Sequence, residues 1–578
     1  MLRVTRYKMS PLAKTLALTT VALIPTGLVD AQTARPQFRD LNHNGKLDPY
    51  EDVRLPTKQR VSDLMARMTV EEKLGLMVHG TLPAVDSPFG LSSSGYDLPA
   101  IEKLIVAGKA NSFITRLTLP PSQLADANNA VQRIAEQSRL GIPVTISTDP
   151  RNHFQAVAGA SSNASGFSQW PEMLGFAATG DPNLVRTFGQ IVAAEYRSVG
   201  IHMALSPQAD LLTEPRWPRA NATFGSDPAT VSALAGAYVE GFQGANGVGP
   251  RSVATVAKHW VGYGAEPQGW DGHNQYGREV RLDKESFTLH VAAFAGVLKA
   301  KTAGIMPTYP IVQGVEVDGK PLEPVGAAFN RQLVQKLLRE KEGYQGLVVS
   351  DWAVTFDCPK VCVEPTASNP QAPTAIGMPW GVETLSQQQR FAKGVEAGID
   401  QFGGVDDPAL LAAALKDGEI SLARVDESAR RVLELKFALG LFDNPYVDPR
   451  VAAATVGAQA LVRAAQKAQS ESQVLLENRK NLIPLRRGVR IWLEGVDPRA
   501  AQAAGFNVVN DLADAQVALV RTWGPVRECS KTYALMTAIC VTRRVYASAG
   551  LWASGEFGMA GVPRAPDRRR LITLSSAD

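Results

Sequence analysis

The sequence predicts a parallel α/β fold, a TIM-type (β/α)8 barrel followed by a second, smaller α/β segment, and three observations predict it. Between residues 57 and 442, short apolar or β-branched runs alternate with longer helical patterns, as strands and covering helices of a parallel sheet do. Eight such runs occur, the number a closed barrel needs. Polar residues gather just after several of them, at the strand ends where a barrel carries its chemistry. An open doubly wound sheet is the competing arrangement. With 578 residues, 45% hydrophobic and 20% charged, the chain has room for a large core, which excludes a disordered chain, a coiled-coil rod and a collagen-like polymer. A net charge of +4 is too small to imply a nucleic-acid or anionic-membrane partner.

Taken in order, the chain opens with Arg3, Arg6, Lys8 and Lys14 before an apolar run at 16–29, shorter than the ~20 residues of a membrane-spanning helix. This reads as a signal peptide over 1–31, cleaved after Ala31, and an exported protein, periplasmic or secreted, free of the membrane once cleaved. An uncleaved anchor is the alternative. The 32–56 leader contains a calcium-loop pattern: oxygen donors at Asp40, Asn42 and Asn44, the Lys46 carbonyl at position seven, a turn at Gly45 and a bidentate carboxylate at Glu51. A structural Ca2+ is expected there, with a metal-free Asn/Gly turn as the alternative, and no cofactor is expected for catalysis.

The eight runs fall at 76–78, 112–114, 144–147, 202–205, 254–257, 304–306, 346–350 and 399–402. Helix candidates between them include 182–199, 228–243, 283–301 and 330–341. The barrel is placed at 57–442, a linker and helix at 443–475, and a partial second domain at 476–578 with strand candidates at 489–493 and 516–520. Polar residues after the runs are Asp149, Asp210 with Arg216 and Arg219, Lys258-His259, Tyr309 and Asp351-Trp352. Carboxylates, cations, an imidazole, a phenol and an indole at one mouth suit a neutral polyol, whose hydroxyls need donors and acceptors and whose ring faces stack on aromatics.

At these residues the chain resembles glycoside hydrolase family 3, the exo-acting β-glucosidases and β-xylosidases. The motifs are Met68-Thr69-Val70-Glu71-Glu72-Lys73-Leu74, Pro215-Arg216-Trp217-Pro218-Arg219, Thr223-Phe224-Gly225-Ser226-Asp227-Pro228, Ala257-Lys258-His259-Trp260 and Gly346-Leu347-Val348-Val349-Ser350-Asp351-Trp352. Farther on, Ser472-Gln473-Val474-Leu475-Leu476-Glu477-Asn478 and Asn481-Leu482-Ile483-Pro484-Leu485 resemble the start of the family's second, αβα-sandwich domain. The resemblance covers roughly residues 57–520.

The resemblance implies a retaining exo-β-glycosidase acting on a β-linked glucoside or oligosaccharide, with Asp351 as the nucleophile that forms a covalent glycosyl-enzyme. It implies that Asp149, Arg219, Lys258, His259 and Tyr309 hold the sugar, and that Trp352 flanks the next one. Where the family usually has Glu three residues after the matching arginine, this chain has Ala222, so a salt link orienting Arg219 is expected to be missing.

In two-domain members the general acid/base is a glutamate of the second domain, and none stands out here. After about residue 522 the pattern stops, and nine basic against four acidic residues from Arg521 to Asp578 suggest a truncated or frameshifted tail. Glu556 is a weak candidate acid. The other is His273, because Asp271-Gly272-His273 is similar to the Asp-x-His dyad of the family's β-N-acetylhexosaminidases. That gives an alternative reading, and an inactive sugar-binding copy is another. Cys358 and Cys362 lie close enough for a local disulfide, with Cys529 and Cys540 in the tail, but spacing alone does not settle the pairing.

Overall fold

The computed structural model describes residues 38–87, 93–153, 166–366, 368–369, 371, 375–523 and 570–576. Eight parallel strands close a barrel: β1 Val78–Thr81, β2 Ser112–Ile114, β3 Thr145–Thr148, β4 Met203–Ala204, β5 Ala254–Trp260, β6 Gly304–Pro307, β7 Leu347–Trp352 and β8 Gln401–Gly403. Each pairs in parallel with its neighbours in sequence, and β1 closes the ring on β8. The competing open sheet is therefore excluded. Strand residues are buried on both faces, all seven of β5 among them, as expected of a sheet filled inside by side chains and covered outside by helices.

Local sequence explains the covering helices. Helices Pro182–Ser198 and Pro228–Gln243 each start with an Asp side-chain cap followed by proline, whose fixed φ suits the first turn. The Met68–Leu74 motif folds as a capping box: Glu72 N–H donates to Thr69 Oγ1, and Thr69 N–H donates to a Glu72 carboxylate oxygen. The single helix expected over 283–301 is instead two, Lys284–Ala292 and Ala295–Lys299. Inside the barrel Met203, Val256, Met306, Leu347 and Val349 pack toward Phe437 and Phe442, whose rings stack at 3.9 Å.

In the 40–51 loop, Asp40 accepts the Asn44 and Gly45 amides at 3.0 and 2.9 Å. Buried Glu51 accepts the Leu41 and Asp48 amides at 2.7 and 2.9 Å, one on each oxygen. Asn42 and Asn44 donate their side-chain amides to Asp48, and the Lys46 amide donates to Asn44 Oδ1. The loop is thus closed by its own hydrogen bonds.

Helices Pro449–Thr455 and Gln459–Glu471 tie the following segment to the barrel wall, where Gly457 N–H donates to Glu195 Oε1 at 2.9 Å. Beyond them lies a parallel sheet in the order Asn507–Val508, Arg490–Glu494, Val517–Trp523, Arg570–Ser576. Its last strand comes from the basic tail, where the sequence reading placed none. Glu556, Cys529 and Cys540 lie outside the described residues.

Candidate active site

Strand ends β3, β4, β5, β6 and β7 carry the candidate residues. Pairing registers shift between Lys258 and Trp260 on β5 and between Val349 and Trp352 on β7. Irregularities of this kind re-aim side chains that a regular strand would send to opposite faces. Gly403 on the next strand and Gly404 just after it leave room for the Trp352 indole, since a Cβ at either would meet its ring at 2.8 Å.

Asp351 lies at the centre of the cluster and is buried. Its Oδ1 accepts the Tyr309 hydroxyl at 2.7 Å and the Trp352 amide at 2.8 Å, while Oδ2 lies 3.5 Å from His259 Nε2. Burial, then the nearby Asp351 charge, pushes the Tyr309 phenol well above its ordinary value, so it stays a donor. The other face of His259 meets Asp210: Nδ1 is 2.8 Å from Oδ2, and the His259 amide donates to Oδ1 at 3.1 Å.

Lys258 Nζ lies 3.9 Å from Asp149 Oδ1, and Arg116 Nε lies 3.9 Å from Asp149 Oδ2. All three are buried, and desolvation lowers the Lys258 pKa despite Asp149, Asp351 and Asp210 around it. Arg219 has no glutamate at position 222, but its guanidinium is held all the same. It donates to Gln208 Oε1 at 2.8 Å and lies 5.5 and 5.8 Å from the Tyr263 and Trp217 ring centres. Burial works against its charge, yet Tyr263, Asp271, Asp351 and Asp210 outweigh that and raise its pKa. Gln208 therefore does the orienting that the sequence reading expected to be missing.

The Asp271/His273 pair is formed. Its Nδ1 lies 2.5 Å from Asp271 Oδ1, and Asp271 also accepts the Tyr263 hydroxyl at 2.7 Å and the Trp217 indole N–H at 3.0 Å. The His273 ring packs 4.5 Å, centre to centre, from Tyr309. Asp351, His259, Tyr309, Lys258, Asp149 and Trp352 thus converge, Arg219 joins them through Gln208, and His273 borders them. Sequence reading gave no role to Arg116, Gln208, Tyr263 or Glu266. Asp210 was visible only as a polar residue after a strand.

A model of the glycosyl hydrolase family 3 N-terminal domain matches residues 101–435. The chain belongs to glycosyl hydrolase family 3. A periplasmic beta-glucosidase/beta-xylosidase of Dickeya chrysanthemi is 50% identical over 499 residues, which span 86% of this chain and 76% of that protein. Beta-glucosidase C of Emericella nidulans is 39% identical over 501 residues, 86% of this chain and 77% of that one. Two solved structures share the fold of this family member. The β-glucosidase of Erythrobacter marinus superposes with a TM-score of 0.62 at 24% identity, over 82% of this chain and 66% of that one. The Listeria innocua β-glucosidase in complex with isofagomine gives 0.61 at 22%, over 82% and 64%. The chain therefore spans just under two thirds of these two structures.

Proposed function

We propose that this family 3 protein is a retaining exo-acting β-glycosidase that releases terminal β-D-glucosyl residues through a covalent glycosyl-enzyme on Asp351. The observation that carries the reading is the Asp351 carboxylate itself: one oxygen is held by Tyr309 and a backbone amide, the other faces His259, and the group is buried at a barrel mouth. Fixed donors on one oxygen hold the carboxylate in a single orientation, which a nucleophile attacking one anomeric carbon requires. Lys258, Asp149 and Arg219 offer buried donors and acceptors for sugar hydroxyls, and Trp352 offers an apolar face beside them. The names of the Dickeya and Emericella relatives support the substrate class. The periplasmic name of the first, with the basic and apolar start of this chain, supports export.

A second reading rests on the formed Asp271/His273 pair. It lies against Tyr309, and an imidazole polarised by a carboxylate can move a proton to a leaving group. On that reading His273 is the acid/base. The test of the first reading is mechanism-based trapping: a 2-deoxy-2-fluoro-β-glucoside with an activated leaving group should leave a sugar-sized mass on the Asp351 peptide. Label on another peptide, with turnover intact in Asp351→Asn, would refute it. His273→Ala separates the two readings, since loss of activity on poor leaving groups alone marks an acid.

A further inference from the structure

Asp210 and His259 pack as a buried pair behind the proposed nucleophile. Asp210 Oδ2 lies 2.8 Å from His259 Nδ1, and His259 Nε2 lies 3.5 Å from Asp351 Oδ2, so the imidazole bridges two carboxylates. Asp210 is anchored on both oxygens. Oδ1 accepts the His259 amide, and Oδ2 also accepts the Gln208 side-chain amide at 3.2 Å, while Gln208 in turn holds Arg219. The imidazole packs edge-on against Tyr263 with ring centres 4.8 Å apart.

This geometry restricts where protons can sit. If Asp210 is ionised and His259 neutral, Nδ1 carries the hydrogen toward Asp210 and Nε2 presents a bare lone pair to the Asp351 oxygen, which is repulsive. If the pair holds one further proton, Nε2 carries a hydrogen toward Asp351. We propose that Asp210 is a positioning residue of the proposed β-glycosidase reaction, holding a proton jointly with His259 so that His259 Nε2 is an N–H donor facing Asp351. This deepens the reading of Asp351 as nucleophile and rests on it.

Every charged group around the pair bears on where that proton lies. Burial outweighs Arg219, the His259 amide, Lys258 and Gln208 and raises Asp210 to about 7. Burial, with the positive charges of Arg219 and Lys258, depresses His259 well below its ordinary value. Both directions put the shared proton on the carboxyl, which donates it to Nδ1 and leaves the imidazole neutral with hydrogen on Nε2. Because the carboxyl holds its proton below its raised pKa and releases it above, the donor is present in acid and lost as pH rises through about 7.

Two measurements test this. In protein labelled with 15N-histidine, with the His259 signals assigned by difference from His259→Gln, Nε2 should be protonated and Nδ1 not at about pH 5.5. A bare Nε2 at that pH overturns the proposal, whatever the catalytic activity. The second is kcat/KM against pH for a 2,4-dinitrophenyl β-glucoside, whose leaving group needs no acid, so an alkaline limb cannot belong to the acid/base. The wild type should show a limb near neutrality, and in Asp210→Asn, which has no carboxyl proton to lose, that limb should vanish or move by more than about one pH unit. An unchanged limb in a folded variant overturns the proposal. A wild type inactive on this glucoside would count against the β-glycosidase reading, and the histidine spectrum would still decide the proton.

Discussion

Glu266 is fully buried on the loop after β5, and no side chain among the described residues donates a hydrogen bond to either of its carboxyl oxygens. Burial, then the Asp271 charge, pushes it well above its ordinary value, so it folds as the neutral acid. A carboxyl whose folded pKa is raised contributes its stability below the unfolded value, and that contribution fades as pH rises toward the folded one. Asp210 acts with the same sign and reaches about 7. These two carboxyls subtract stability as pH rises from about 5 to 8, while the buried His79, His202, His259 and His290, whose pKa values are lowered, add stability as pH rises toward about 6.5. Glu266→Gln removes one subtracting group and should raise Tm at about pH 8 by roughly 2–4 °C more than at about pH 5. Calorimetry at the two pH values checks it, and a variant less stable than wild type at both would contradict it. None of this was legible from the chain. Glu266 sits in a Gly-rich, polar stretch that reads as a surface loop, and only folding against Asp271 buries it.

At the scale of elements, the segment after β7 decides how firmly Asp351 and Trp352 are held. Arg390, buried on helix Gln387–Ala397, donates to the carbonyls of Thr355, Val382 and Glu383 and to Asp357, tying the post-β7 loop to that helix. The Cys358–Cys362 disulfide closes the next turn. Arg390→Ala leaves several carbonyls without their donor and should cost roughly 3 kcal/mol. It should lower kcat more than it raises KM, because the surroundings of the proposed nucleophile loosen; urea unfolding and steady-state kinetics together check this. The 40–51 loop is kept as a proposed calcium site. Glu51 would have to exchange two backbone amides for the ion, so binding near 10⁻⁴–10⁻³ M is expected. Tb3+ luminescence sensitised by Tyr50, lost in Glu51→Ala, would support it, and no response at millimolar ion would count against it. Elements were the most legible level. All eight runs became barrel strands within a few residues, because alternation and caps are local signals. The tail strand Arg570–Ser576 escaped notice because it is recognisable only through its pairing with Val517–Trp523.

For the whole molecule, the barrel brings residues far apart in sequence to one mouth, and what sequence could and could not predict divides along that line. Asp351, Lys258 and His259 stand in motifs that name their surroundings. The bonds that define their state, such as Asp210 to His259 and Tyr309 to Asp351, run between separate segments and have no local spacing to betray them. Ala222 shows a second limit: the missing glutamate suggested an arginine without its salt link, and Gln208, eleven residues earlier in the same loop, holds it instead. Among the described residues no helix is long and apolar enough to cross a membrane. The proposed attack of Asp351 on the sugar is decided by hydrolysis of an aryl β-D-glucoside by the purified chain beside Asp351→Asn. Wild-type turnover falling by at least roughly a thousandfold in the folded variant is the predicted result, and turnover undiminished in Asp351→Asn would contradict it.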